Sequence, residues 1–92
     1  QTRRADQLMV GFALEPREEL LDSARAKLTR KRIDMVVGNP LETMDSPTVE
    51  AIVLDAHGPE HRTPTMMTKE DFAPWLFQLI EARTHAFQKR TA

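Results

Sequence analysis

The sequence contains no cysteine, which excludes a disulfide framework and any thiolate metal site. It also lacks an excess of one charge, with 13 basic and 14 acidic residues and a formal net charge of −1. No global field therefore draws the chain toward nucleic acid or anionic lipid. No apolar run approaches the roughly 18 residues that span a bilayer. The opening QTRRADQLMV has no apolar signal segment. A soluble cytoplasmic protein with no nucleic-acid and no membrane partner is expected. Glycine-rich phosphate loops, nucleophile elbows and His-Glu-x-x-His zinc motifs are absent too.

What is present has a globular balance, 40% hydrophobic and 29% charged, which excludes disorder. At 92 residues the chain is one small domain or part of a larger one. Such a chain buries only about 60–65% of its unfolded surface, so it is expected to lean on a neighbouring segment.

Residues 7–13, QLMVGFA, read as a buried strand. A buried strand takes neighbours on both edges, and some are expected upstream of this sequence. Pro16 fits the first helical position, with Glu18 and Glu19 in the first turn. Leu20, Leu21, Ala24 and Leu28 then fall within about 100° on the helical wheel. Arg25, Lys27, Arg30, Lys31 and Arg32 close the helix, as its dipole favours.

Residues 33–38, IDMVVG, are a second, almost wholly apolar strand, ended by Asn39-Pro40. After a loop over 41–48, residues 49–55 form a third strand. A turn at His57-Gly58-Pro59-Glu60 leads to a short strand over 63–67, expected to pair back as a hairpin arm. Thr68-Lys69-Glu70-Asp71 is a capping-box-like start for a closing helix. That helix carries Phe72, Leu76, Leu79, Ile80 and Phe87 on one face, with Trp75 as an anchor. The order β-α-β-β-β-α predicts an α/β fold with a part-parallel sheet. Ligands in such sheets bind at the carboxyl ends of the strands, which directs attention to residues 12–15 and 39–41.

Two lysines break the pattern of the first helix. With Leu20 as origin, Ala24 lies about 40° to one side, Lys31 about 20° to the same side and Lys27 about 20° to the other. Both lysines thus continue the apolar stripe, one turn apart. Such a pair can hold a polyphosphate through two flexible point charges. Stems that snorkel off the core edge at a helix end are the commoner arrangement. Phe12, at the end of a strand, either stacks on a nucleobase or fills core, and periodicity does not separate the two. His57 and His61, near Asp55 and Glu60, read as solvated turn residues, so no metal ligands are assigned.

Three stretches, in order, resemble one family. Val10-Gly11-Phe12-Ala13-Leu14-Glu15 is similar to the Val-Gly-Phe-Ala-x-Glu signature of phosphopantothenoylcysteine synthetases. Residues 24–31 (ARAKLTRK), running into Asp34-Met35-Val36-Val37-Gly38-Asn39, resemble that family's paired lysines, aspartate and asparagine at fixed offsets. Pro64, Met67 and Lys69 align with its last strand and helix. The chain departs from the pattern at Pro16, at Pro40 and at Met44-Asp45-Ser46-Pro47-Thr48.

The resemblance implies a Rossmann-like three-layer fold, of which residues 1–92 are the C-terminal part of the synthetase domain, with a C-terminal β-hairpin arm and helix. The upstream half of the domain is absent here. It implies a ligase of coenzyme A biosynthesis that uses CTP and Mg²⁺ to join 4′-phosphopantothenate and cysteine through an acyl-cytidylate. By position, Phe12, Lys27 and Lys31 would bind the nucleotide, and Glu15 and Asn39 would line the site. No catalytic residue falls in this stretch, so the fragment alone is expected to be inactive. FMN is expected only if a decarboxylase domain is fused upstream. The other implied partners are the upstream half of the domain and a second copy in a homodimer. A diverged, non-catalytic module that binds a nucleotide or partner is the alternative, followed by an unrelated flavodoxin-like or Rossmann-like piece.

Overall fold

Two parallel strands, β1 (Val10–Glu15) and β2 (Met35–Pro40), set the frame, with Val10 opposite Met35 and Glu15 opposite Pro40. In this computed structural model the backbone is described for residues 8–30 and 32–91, and the side chains for those before residue 85. Helix α1 (Arg17–Arg30) connects β1 to β2, so the expected β-α-β unit is present. Both strands run two residues beyond their apolar runs, because pairing continues through Leu14–Asn39 and Glu15–Pro40. Gln7, expected at the start of β1, lies outside the described residues.

The third strand is shorter than expected. Residues 49–55 divide into β3 (Thr48–Val49) and β4 (Ile52–Asp55). β4 pairs antiparallel with β2, Val53 opposite Val37. The break is made by Ala51, whose N–H donates to Thr63 Oγ1 at 3.0 Å while its carbonyl accepts from the Thr63 N–H at 3.0 Å. β5 (His61–Arg62) completes a four-stranded sheet in the order β1-β2-β4-β5.

The arm also departs from a single strand over 63–67. Pro64 has no N–H to give a ladder, and Met66 takes a left-handed φ of 65°. Pairing therefore flanks that segment. β5 joins β4, and β6 (Met67–Thr68) pairs antiparallel with β3 as a separate two-stranded ribbon.

The sheet is covered on both faces, which gives the expected three layers. On one face Leu20 and Ala24 of α1 bury against Ala13, Val36, Ile52 and Leu54. Gly38 lets Leu20 settle, since a Cβ there would lie 3.1 Å from Leu20 Cδ1. On the other face α2 (Lys69–Thr91) lays Phe72, Trp75, Leu76, Leu79 and Ile80 on Met35, Val37 and Val53. Each fully buried side chain of this kind contributes about 1.5–3 kcal/mol. The Phe87 side chain, expected on the same face, lies outside the described side chains.

The Thr68 hydroxyl caps α2 by accepting from the Asp71 N–H at 3.2 Å. Pro74 sits inside α2 rather than ending it. Farther along, Arg83 Nε lies 2.7 Å from Asp55 Oδ2, with the two side chains only 9% and 6% exposed. That pair fixes α2 to the end of β4. No described helix is long and apolar enough to cross a membrane.

Candidate functional site

Side chains on a strand alternate between faces. Val10 packs under α2, and Ala13 belongs to the core under α1. Phe12 and Leu14 must therefore point to the α2 face, beyond the part of the sheet that α2 covers. They are 61% and 46% exposed. Phe12 is consequently not a core residue. Its ring stands on the wall of a cavity of about 340 Å³ at the carboxyl ends of β1 and β2. Leu14, Asn39, Met44, Val49 and Lys69 are among the other residues of that wall, with Ala13, Pro40, Thr43 and Thr48. Asn39 is held by a hydrogen bond from its Nδ2 to the Glu50 carbonyl at 3.3 Å.

Lys27 approaches the same strand from the opposite side. Its half-buried stem runs over Gly11, where a Cβ would lie 3.7 Å from Lys27 Cδ and 2.5 Å from Ile33 Cδ1. The glycine of Val-Gly-Phe thus provides a close approach for side chains of α1 and the following turn. The Lys27 ammonium donates to the Phe12 carbonyl. Lys27 therefore meets Phe12 at its backbone and does not line the cavity holding the ring. Glu15 is half-buried at the last position of β1, outside that cavity. Lys31 lies outside the described residues.

A second hollow, of about 630 Å³, lies on the α1 side between Arg17, Leu20, Glu50, Ile52, Thr63 and Met66. Both of its cations are already engaged: Arg62 pairs with Glu60 at 2.8 Å, and the Arg17 side chain pairs with Glu50, which raises the guanidinium pKa above its ordinary value. The Arg17 N–H donates to the Glu42 carboxylate at 2.9 Å. An anion would have to displace these carboxylates, so the smaller cavity is the better candidate. His57 is exposed and His61 half-buried. No group of three His, Cys, Asp or Glu side chains that could hold a metal occurs among the described residues.

Lys69 was not singled out in the sequence as a binding residue. The segments that build its cavity, around residues 12–14, 39–49 and 69, are remote in sequence, so periodicity carries no sign of it. The available signal was its position at the front of a helix, where the dipole disfavours a cation.

A family model described as the DNA/pantothenate metabolism flavoprotein C-terminal domain matches residues 1–84. Among solved structures, the chain is similar to the DNA/pantothenate metabolism flavoprotein from Streptococcus pneumoniae, with a TM-score of 0.66 and 25% identity. The match covers 83% of this chain and 33% of that one, so this chain spans about a third of that protein's length. No curated protein matches the chain.

Proposed function

Because this chain belongs to the family of the DNA/pantothenate metabolism flavoprotein C-terminal domain, we propose that it supplies part of the nucleotide site of a ligase in coenzyme A biosynthesis. The observation that carries the proposal is the exposed Phe12 ring over a cavity at the carboxyl ends of two parallel strands, with a lysine ammonium on the Phe12 carbonyl. Aromatic rings left open at that end of an α/β sheet are suited to stack on a nucleobase.

In this reading the carboxylate of 4′-phosphopantothenate attacks the α-phosphorus of CTP. A phosphorus–oxygen bond forms, pyrophosphate leaves, and the carboxyl becomes an acyl-cytidylate. The amine of cysteine then forms the C–N bond, losing a proton, while the acyl C–O bond breaks and CMP departs. Phe12 holds the base. Lys27 leaves the Phe12 carbonyl to meet the triphosphate, where a flexible ammonium stabilises developing charge. Lys31, four positions later in the sequence, would serve the same oxygens. Asn39 lines the cavity. Mg²⁺, when bound, would neutralise charge on the triphosphate; no group of three His, Cys, Asp or Glu that could hold it alone occurs among the described residues.

The test is titration of CTP and ATP on the full-length protein and on its Phe12→Ala variant. Loss of a stacking contact worth about 1–3 kcal/mol should weaken binding by roughly 5- to 150-fold. Unchanged affinity would remove the site. Binding of CTP without phosphopantothenate-dependent release of CMP would replace the ligase reading with a non-catalytic binding module.

A further inference from the structure

Two lysines approach Phe12, and they do so from different sides. Lys27 reaches the backbone carbonyl from α1, whereas Lys69 lines the cavity into which the ring faces. We propose that Lys69 is the base-side cation of the site, donating to a ring carbonyl or ring nitrogen of the nucleobase stacked on Phe12, while Lys27 serves the phosphates. This assignment rests on the nucleotide reading above.

Three observations support it. The cavity, at about 340 Å³, lies near the lower end of the roughly 300–1,000 Å³ of ligand pockets, which suits a single ring system rather than an entire nucleotide. Its walls are largely apolar, with Phe12, Leu14, Met44 and Val49, and its polar side chains are Asn39, Lys69, Thr43 and Thr48, of which Thr43 is bonded to the Pro40 carbonyl at 3.1 Å and Thr48 to the Ser46 hydroxyl at 3.1 Å. That is the composition expected where a flat heterocycle is gripped by its faces and read at its edge. Lys69 is also unspent: it forms no ion pair among the described residues.

The local sequence reinforces this. Glu70 and Asp71 follow the dipole rule for the first turn of α2, and Lys69 beside them does not. A residue that breaks a local rule without a structural return is expected where function holds it. An ammonium offers three donors and no acceptor, matching the ring nitrogen and carbonyl acceptors of a pyrimidine edge. The Asn39 amide lines the same cavity, and its oxygen is left to accept from the base, since its Nδ2 donates to the Glu50 carbonyl.

The experiment compares CTP and CMP binding to the full-length protein and its Lys69→Met, Lys27→Met and Phe12→Ala variants. Lys69 is exposed, so matched thermal unfolding is expected, and Lys69→Gln provides a second test of the same charge. The inference expects Lys69→Met to weaken CTP and CMP by the same factor, roughly tenfold for one charge-assisted contact. Lys27→Met should cost CTP more than CMP. Wild-type affinity in both Lys69 variants, with Phe12→Ala weakened, overturns the inference and leaves the nucleotide reading standing. A loss for CTP but not CMP also overturns it, moving Lys69 to the phosphates. A silent Phe12→Ala overturns the nucleotide reading itself, and Lys69 falls with it.

Discussion

The ammonium of Lys27 donates to the backbone carbonyl of Phe12. Two stretches that look independent in the sequence, a strand ending and the back of a helix, are thereby joined by one contact. The aliphatic stem lies along Gly11, which explains how a lysine can continue the stripe begun by Leu20 and Ala24 without burying its charge. The carbonyl occupies the cation in the free protein, and an anionic ligand would compete with a neutral acceptor rather than with a carboxylate. Both bonds have an ionised donor, so what the exchange gains is the attraction between the ammonium and an opposite charge.

Lys27→Met retains the stem and deletes the charge. In the full-length protein this should weaken CTP binding by roughly ten- to hundredfold, the value of about 1.5–3 kcal/mol for a charged hydrogen bond. Stability should change by no more than about 1 kcal/mol. Arg30 is exposed in the same last turn, and Arg30→Met should leave affinity near wild type. Calorimetric titration of the two variants checks this, and equal affinities would return Lys27 to a solvated helix end.

A second prediction concerns stability alone. Asp34 is only 2% exposed, and its Oδ2 accepts the Met9 N–H at 2.8 Å. Its own N–H donates to the Met9 carbonyl at 2.9 Å, and its carbonyl accepts from the Ala56 N–H at 2.9 Å. One residue thus ties together the entry to β1, the start of β2 and the end of β4. The backbone bonds survive replacement of the side chain, but the Met9 N–H does not keep its partner. Asp34→Ala should cost about 1–3 kcal/mol, the penalty of an unsatisfied buried group. It would be measured as a lower urea midpoint at unchanged slope. A shift of less than about 0.5 kcal/mol would show that water replaces the carboxylate.

The β-α-β unit was legible because short-range rules agree there. Apolar runs mark β1 and β2, and Leu20 and Ala24 repeat at helical spacing under a correctly signed dipole. The position of Lys27 was legible for the same reason, since a wheel places it beside Leu20, while Lys31 lies outside the described residues. Whether Phe12 fills core or faces a ligand was not legible, because that depends on how far α2 extends over the strand. The division of residues 49–55 was hidden as well. It depends on Ala51 bonding Thr63 and on β3 pairing with β6, contacts made across twelve or more positions. Met66 is an unbranched residue in a left-handed conformation, and nothing in its side chain announces that. Lys69 shares a cavity wall with Phe12 only through tertiary structure, so its place there has no sign in the local sequence.

The last prediction separates what holds α2 in place from what its first residue does. Asp55 accepts from the His57 N–H at 2.8 Å and pairs with Arg83 at 2.7 Å, largely out of water. Removing only the guanidinium strands a carboxylate in a site built for a pair, which typically costs about 3–5 kcal/mol. Arg83→Met should therefore destabilise strongly, while Asp55→Leu combined with Arg83→Met should cost less than the sum of the single changes, with at least about 1 kcal/mol of coupling. Urea unfolding of the four proteins in the cycle measures that coupling, and strict additivity would refute the pairing. Arg83 and Lys69 are separated by 14 residues of α2, about 21 Å along the axis at ~1.5 Å per residue. The cavity at Phe12 lies at the Lys69 end, so nucleotide affinity measured on the folded Arg83→Met protein should stay within about twofold of wild type, as expected for distant, independent sites. A larger loss would mean that the ion pair sets the position of Lys69 along the whole helix.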